Sequence, residues 1–399
     1  MLHPHTINRV QSGLSPLRHR FASCARALLR GTVFTTLAPF AALMISTAAL
    51  AQAETAHDVF ERNFQQLAAA QPQYAVGAAF AIGDEAPQVV VSGNQHKNST
   101  VHVDTNAAWH IGSVTKSFTA ALIMRLVAQD YLDLDAPIGG YLGAYQAEMH
   151  PDWQALTLRQ LLSHTGGVPR DGSLWGFLFP PQGSPSETRV IEMQRHWNRP
   201  LKTTGQDYAY SNLGYVLAAI VVEEVMQEAW FNLVKREISE PLGLDSLGFG
   251  PPTDATDPWG HKSFLGSFSP VHPASDDADS PAWMGPAGQL RISMSDLVKW
   301  GQIHLEACQG QRPDFLSRES CTTLLTPVSA DYGLGWIILP VTGHDATLVW
   351  HNGSNTKWYS LLAIIPEHDV VFAVSLNRFE ESAIDAFARA MIIDLMAVL

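Results

Sequence analysis

A chain of 399 residues with 46% apolar side chains can bury one large core or two lobes, and this composition excludes an intrinsically disordered protein. Five of its 25 basic residues fall within the first 53, a stretch without Asp or Glu, so the remainder carries 20 basic against 38 acidic residues, a net charge of −18. That balance excludes the basic footprint a nucleic-acid partner requires, and it disfavours docking on an anionic membrane.

In chain order, Arg9, Arg18, Arg20, Arg26 and Arg30 precede an apolar, uncharged run from Val33 to Ala51. Small-residue sites close it, Ala49-Leu50-Ala51 and Ala51-Gln52-Ala53. Basic, apolar, then small-x-small is the order of a secretory signal, which predicts a signal peptide over 1–53 and a periplasmic or secreted protein. The run is almost long enough to span a bilayer, so an uncleaved anchor facing the periplasm is a second reading. An Arg-rich, acid-free leader also fits an organellar transit peptide. Cys24 lacks a preceding apolar run and does not read as a lipidation site. Cys308 and Cys321 could pair in an oxidising compartment or remain as two thiols.

Ala56 to Ala70 places Val59, Phe60, Phe64, Leu67 and Ala68 at helical spacing. Tyr74 to Ile82 and Gln88 to Ser92 read as a hairpin across Gly83-Asp84-Glu85-Ala86-Pro87. At Trp109-His110-Ile111-Gly112-Ser113-Val114-Thr115-Lys116 a polar segment ends and a long apolar-periodic helix begins. From about 133 to 310 short helical segments alternate with Pro and Gly, with no convincing strand. They include Leu156 to Leu162, stopped by Ser163-His164-Thr165-Gly166-Gly167, then Gly214 to Glu228, and Ser295 to Leu305 with Ser293 or Ser295 as N-cap. Residues 168–206 and 250–286 read as long loops, the kind that are often functional. Strands return at Tyr332–Leu339, Ala346–His351, Trp358–Ile365 and Val370–Leu376, and Ser382 to Leu399 closes the chain as a helix.

This order predicts an α+β, two-lobed domain over 54–399. A mostly antiparallel five-stranded sheet joins the two ends of the chain under terminal helices. A mainly helical lobe, about 133–310, is inserted between the sheet halves. A cleft between lobes is the default place for a site.

Ser113 and Lys116 share a helix face at i and i+3, so the amine can reach the hydroxyl. The positive end of the helix dipole lies beside Ser113. A second Ser-x-x-Lys, Ser354 to Lys357, follows an apolar run that reads as strand, where i and i+3 point to opposite faces. Tyr210-Ser211-Asn212 stands just before a helix. His351-Asn352-Gly353-Ser354 ends a strand, with a Gly that admits close backbone approach. His164 invites a catalytic reading, but it looks like a packing and turn residue of the family to which these motifs point. The sixteen His are scattered without His-Glu-x-x-His or paired Cys, and no Gly-rich phosphate loop occurs, so neither metal nor cofactor is expected.

Taken in this order, Ser-x-x-Lys, Tyr-x-Asn and His-x-Gly resemble the serine β-lactamase and penicillin-binding-protein superfamily, closest to class C β-lactamases, DD-peptidases and related esterases. The resemblance runs from about 56 to 395 and takes in Leu161 to Gly167, Tyr208 to Tyr215 and Pro241 to Leu244. It implies a β-lactamase/transpeptidase-like fold. It implies that Ser113 is acylated, that Lys116 and Tyr210 share its proton, and that Asn212 holds the substrate amide or the Lys. The NH groups of Ser113 and Ser354 would form the oxyanion hole, with His351 and Gly353 beside the substrate. Where β-lactamases carry Lys-Thr-Gly this chain has His351-Asn352-Gly353, a His-x-Gly variant that looks like the DD-peptidase and esterase members, which puts a strong penicillinase in doubt. Lys357, on the parity of His351, could supply charge instead. The expected partner is a small-molecule or peptidoglycan-like substrate (an ester, a D-amino-acid peptide or a β-lactam), with the oligomeric state left open. A catalytically weak cell-wall or partner-binding protein and an organellar filament-forming homologue are the rivals.

Overall fold

Thr55 opens the first helix, α1 (Ala56–Ala70), through a capping box with Asp58, and Val59, Phe60, Phe64 and Leu67 form its buried stripe. The computed structural model describes residues 53–202 and 207–399. The readings of signal, anchor or transit peptide fall on residues outside that range, apart from Ala53. Residues 54–399 are one compact unit.

Among the described residues eleven strands follow in chain order: β1 (Val76–Ile82), β2 (Gln88–Ser92), β3 (Ala108–His110), β4 (Gly248–Phe249), β5 (His261–Phe264), β6 (Ser267–Pro270), β7 (Leu290–Ser293), β8 (Ile337–Pro340), β9 (Thr347–Ser354), β10 (Tyr359–Ile365) and β11 (Val370–Leu376). The main sheet has the order β2-β1-β11-β10-β9-β8 and is antiparallel throughout. It therefore has six strands rather than the expected five. All six stretches read as strand at the two ends of the chain join it, and the edge strand β8 begins at Ile337 rather than Tyr332 and ends at Pro340. Proline is tolerated at such an edge because its nitrogen donates nothing to a ladder.

Side chains alternate across this sheet with period two, and each face has its own core. Val76, Ala78, Phe80, Leu361, Ala363, Phe372 and Val374 pack with α1 and the terminal helix Glu381–Val398. Ala79, Ala81, Val349, Leu362, Ile364, Val371 and Ala373 join a second, larger core with the helices of the middle of the chain. The helix α2 (Thr115–Ala128) runs through that core. It is apolar on nearly every side, hence buried on nearly every side.

The middle region does contain strands, contrary to the sequence reading. β3, β7 and β4 form a small sheet, and β5 and β6 a hairpin. β4 is two residues long, and the hairpin is mostly exposed, so neither carries an apolar alternation. Cys308 and Cys321 are joined in a disulfide with Cα atoms 5.1 Å apart.

Candidate active site

The site is assembled where β9 ends against the turn that precedes α2. Gly112–Val114 is a single 3-10 turn, and α2 starts at Thr115. Gly112 has φ +51°, a region open to glycine. A Cβ there would stand 2.1 Å from the Ser354 nitrogen, and one on Gly353 would stand 2.3 Å from the Ser113 nitrogen. The two glycines thus let the backbones carrying Ser113 and Ser354 touch, as an oxyanion hole built from both requires.

Ser113 Oγ lies between two proton carriers. Lys116 Nζ is 3.1 Å away, and Tyr210 donates its phenolic proton to Ser113 Oγ across 2.9 Å. Lys116 is fully buried. Its Nζ also donates to Asn212 Oδ1 at 2.8 Å and to the Ala287 carbonyl at 2.7 Å. Burial pushes its pKa well below the usual lysine value, helped by Arg170 and opposed by the charge of Asp171. A neutral amine here keeps two protons for Asn212 and Ala287 and turns its lone pair to Ser113. Desolvation moves Tyr210 the other way, raising its pKa, so the phenol keeps its proton at neutral pH.

Tyr210 and Asn212 are held by the segment after the helix Leu158–Leu162. The His164 carbonyl accepts from Ala209 N–H at 2.8 Å, and His164 Nδ1 accepts from Ser211 N–H at 3.1 Å. The Arg170 carbonyl accepts from Asn212 N–H at 2.6 Å. Ser211 then caps the helix Asn212–Met226 through Gly214 N–H. The His164 ring lies 4.4 Å from that of Tyr210, which fits its reading as a packing residue.

The structure brings Ser113, Lys116, Tyr210, Asn212, Gly353 and Ser354 together and turns two expectations aside. His351 is 1% exposed, with both ring nitrogens occupied. Nδ1 donates to the Asn352 carbonyl at 2.5 Å, and Nε2 accepts from Tyr332 OH at 3.0 Å. Burial lowers its pKa to about 3, so it is a neutral support for Tyr332 rather than a group facing substrate. Lys357 does not share a strand with His351. β9 stops at Ser354, Thr356 has φ +73°, and Asn355 Oδ1 accepts from Lys357 N–H at 3.1 Å. The Ser354–Lys357 pair is therefore separated by a turn, not by opposite faces of a strand.

Two members of the site escaped the sequence. Asp171 Oδ1 accepts from Asn212 Nδ2 at 2.6 Å and so points the amide oxygen at Lys116. The Ala287 carbonyl comes from the helix Gly285–Gly288, which no motif marks. Among the described residues, no group of three or more His, Cys, Asp or Glu is placed to hold a metal ion.

The Beta-lactamase family model matches residues 60–395. The chain belongs to the beta-lactamase family of serine hydrolases. This member is 26% identical over 332 residues to penicillin-binding protein 4 of Amycolatopsis lactamdurans, covering 75% of the chain and 80% of that protein. It is 21% identical to protein flp of Staphylococcus aureus and spans only 56% of that protein's length. In fold the family member is similar to the D-amino acid amidase from Ochrobactrum anthropi SV3, with a TM-score of 0.70 at 18% identity, over 86% of this chain and 99% of that one.

Proposed function

We propose that this serine hydrolase works through an acyl-enzyme on Ser113, with Lys116 as general base and Tyr210 as general acid. The placement of Ser113 Oγ between Lys116 Nζ and Tyr210 OH carries the reading. The Ser113 proton passes to Lys116 as Oγ bonds to the substrate carbonyl carbon. The carbonyl oxygen becomes an oxyanion facing the Ser113 and Ser354 N–H groups. As the tetrahedral centre collapses, the leaving oxygen or nitrogen takes the Tyr210 proton, and the Lys116 ammonium restores it. Water then repeats the cycle on the acyl-Ser113 ester. Opposed pKa shifts on two groups sharing one hydroxyl support this division.

The substrate we propose is an ester or a D-amino-acid amide or peptide lacking a carboxylate beside the scissile bond. His351, neutral and buried, occupies the place where a Lys would meet that carboxylate. A β-lactam would acylate Ser113 but turn over slowly, in keeping with a relative named as a penicillin-binding protein. Export to the periplasm rests on the leader, Arg9 to Ala53. Turnover of p-nitrophenyl esters, D-amino-acid amides, D-Ala-D-Ala peptides and a chromogenic cephalosporin is the test, run on protein recovered from its host and sequenced at its N-terminus. Esters or D-amino-acid amides should lead in kcat/KM, from a chain starting at Gln52 or Glu54. Fastest turnover of the cephalosporin would overturn the substrate assignment, and an intact leader would overturn cleavage.

A further inference from the structure

The oxyanion backbones meet beside a buried carboxylate that the reaction above does not use. Asp279 comes from the long loop before the helix Gly285–Gly288, and its side chain is 8% exposed. Its Oδ2 lies 3.0 Å from His110 Nε2. Its Oδ1 accepts from Asn355 Nδ2 at 2.9 Å and from Ser280 N–H at 2.7 Å.

The protons on this network are fixed by who faces whom. His110 Nδ1 lies 3.2 Å from the Gly112 N–H, which can only donate, so Nδ1 is bare and the ring proton is on Nε2, pointing at Asp279. His110 is fully buried and stacks on Trp358 with ring centroids 5.4 Å apart. On the other arm, Asn355 Oδ1 accepts from the N–H groups of Lys357 and Trp358, closing the turn that follows Ser354. One carboxylate thereby reaches Gly112, just before Ser113, and the turn just after Ser354.

We propose that Asp279 is a positioning residue for the oxyanion hole, acting through the tautomer of His110 and the amide of Asn355. Asp279 holds His110 with Nδ1 bare, and the bare Nδ1 holds the Gly112 N–H. That bond sets the left-handed Gly112 turn and with it the direction of the Ser113 N–H. The Asn355 arm does the same for Ser354. The proposal rests on Ser113 being the acylated residue.

Asp279→Asn tests it in the mature protein. Two donors, Asn355 Nδ2 and Ser280 N–H, face one side of the introduced amide and will hold its oxygen there. Its NH2 then faces His110 Nε2 and drives the ring to the Nδ1–H form, which opposes the Gly112 N–H. The expected result is a fall in kcat of about 10²-fold, the scale of a lost oxyanion donor, with KM little changed. Nitrogen NMR of the His110 ring should report the Nε2–H tautomer in the wild type and Nδ1–H in the variant. His110→Asn supplies a second reading, because an amide oxygen two residues before Gly112 can accept the same N–H without Asp279. In that background Asp279→Asn should cost less than about threefold, a coupling that a general loss of packing would not give. An Nδ1–H tautomer in the wild type, an unchanged kcat in Asp279→Asn, or an equal loss in both backgrounds would overturn the assignment. The tautomer is read without substrate, so this test stands apart from that of the Ser113 nucleophile.

Discussion

As the proposed general base Lys116 has to be neutral, and burial of its amine favours that form. A buried ammonium with three neutral acceptors has hydrogen bonds but no adjacent countercharge, and desolvation favours the amine. The sign follows. A general base works above its pKa, so acylation of Ser113 is retained at high pH and lost as pH falls through the lowered Lys116 value. The rate of fluorophosphonate labelling against pH should show one such limb, lying below the ordinary lysine range. Asp171→Asn should move the limb to lower pH, since the Asp171 charge favours the ammonium. A flat profile, or a limb moved upward, would contradict the role. At this scale Ser113, Lys116, Tyr210 and Asn212 were legible because each lies in a local motif at a helix start. Asp171, Ala287 and Asp279 were not, because they meet their partners across 41, 171 and 169 residues of chain.

The elements most visible in sequence were those with strong period. α1 runs over Ala56–Ala70 and β11 over Val370–Leu376, as expected, since a capping box bounds one and short turns bound the other. β4 to β7 were missed because two- to four-residue strands leave no period to read. The strand carrying His351 misled differently. Its end at His351-Asn352-Gly353-Ser354 was legible from the glycine, but the second Ser-x-x-Lys after it reads as strand where the chain turns. Between helices Met294–Gln309 and Arg318–Leu325, the Cys308–Cys321 bond spans a sequence separation of 13. Loop closure of that length stabilises by about 3 kcal/mol in the chain-entropy account. A Cys308→Ser, Cys321→Ser double variant should therefore melt about 4 °C lower for a unit of this size, with kcat unchanged at 25 °C. An unaltered melting temperature would show that the bond does not constrain the folded protein.

In the whole molecule the six-stranded sheet is a wall between two cores, and the site stands where one of its strands runs out against the helical side. Strands at both chain ends and helices between them made this architecture legible in outline. The count of five fell one short, because all six stretches with strand pattern pair into one sheet and alternation alone does not show which strands join. What the fold accomplishes is to set Ser113 from an early helix against Ser354 from a late strand, with Tyr210 and Asn212 brought in from the middle. Intact-mass and peptide mass spectrometry after treatment with a fluorophosphonate tests this most directly. One adduct per chain, located on Ser113 and abolished in Ser113→Ala, is the predicted result; an adduct on another residue, or one that persists in Ser113→Ala, would contradict it.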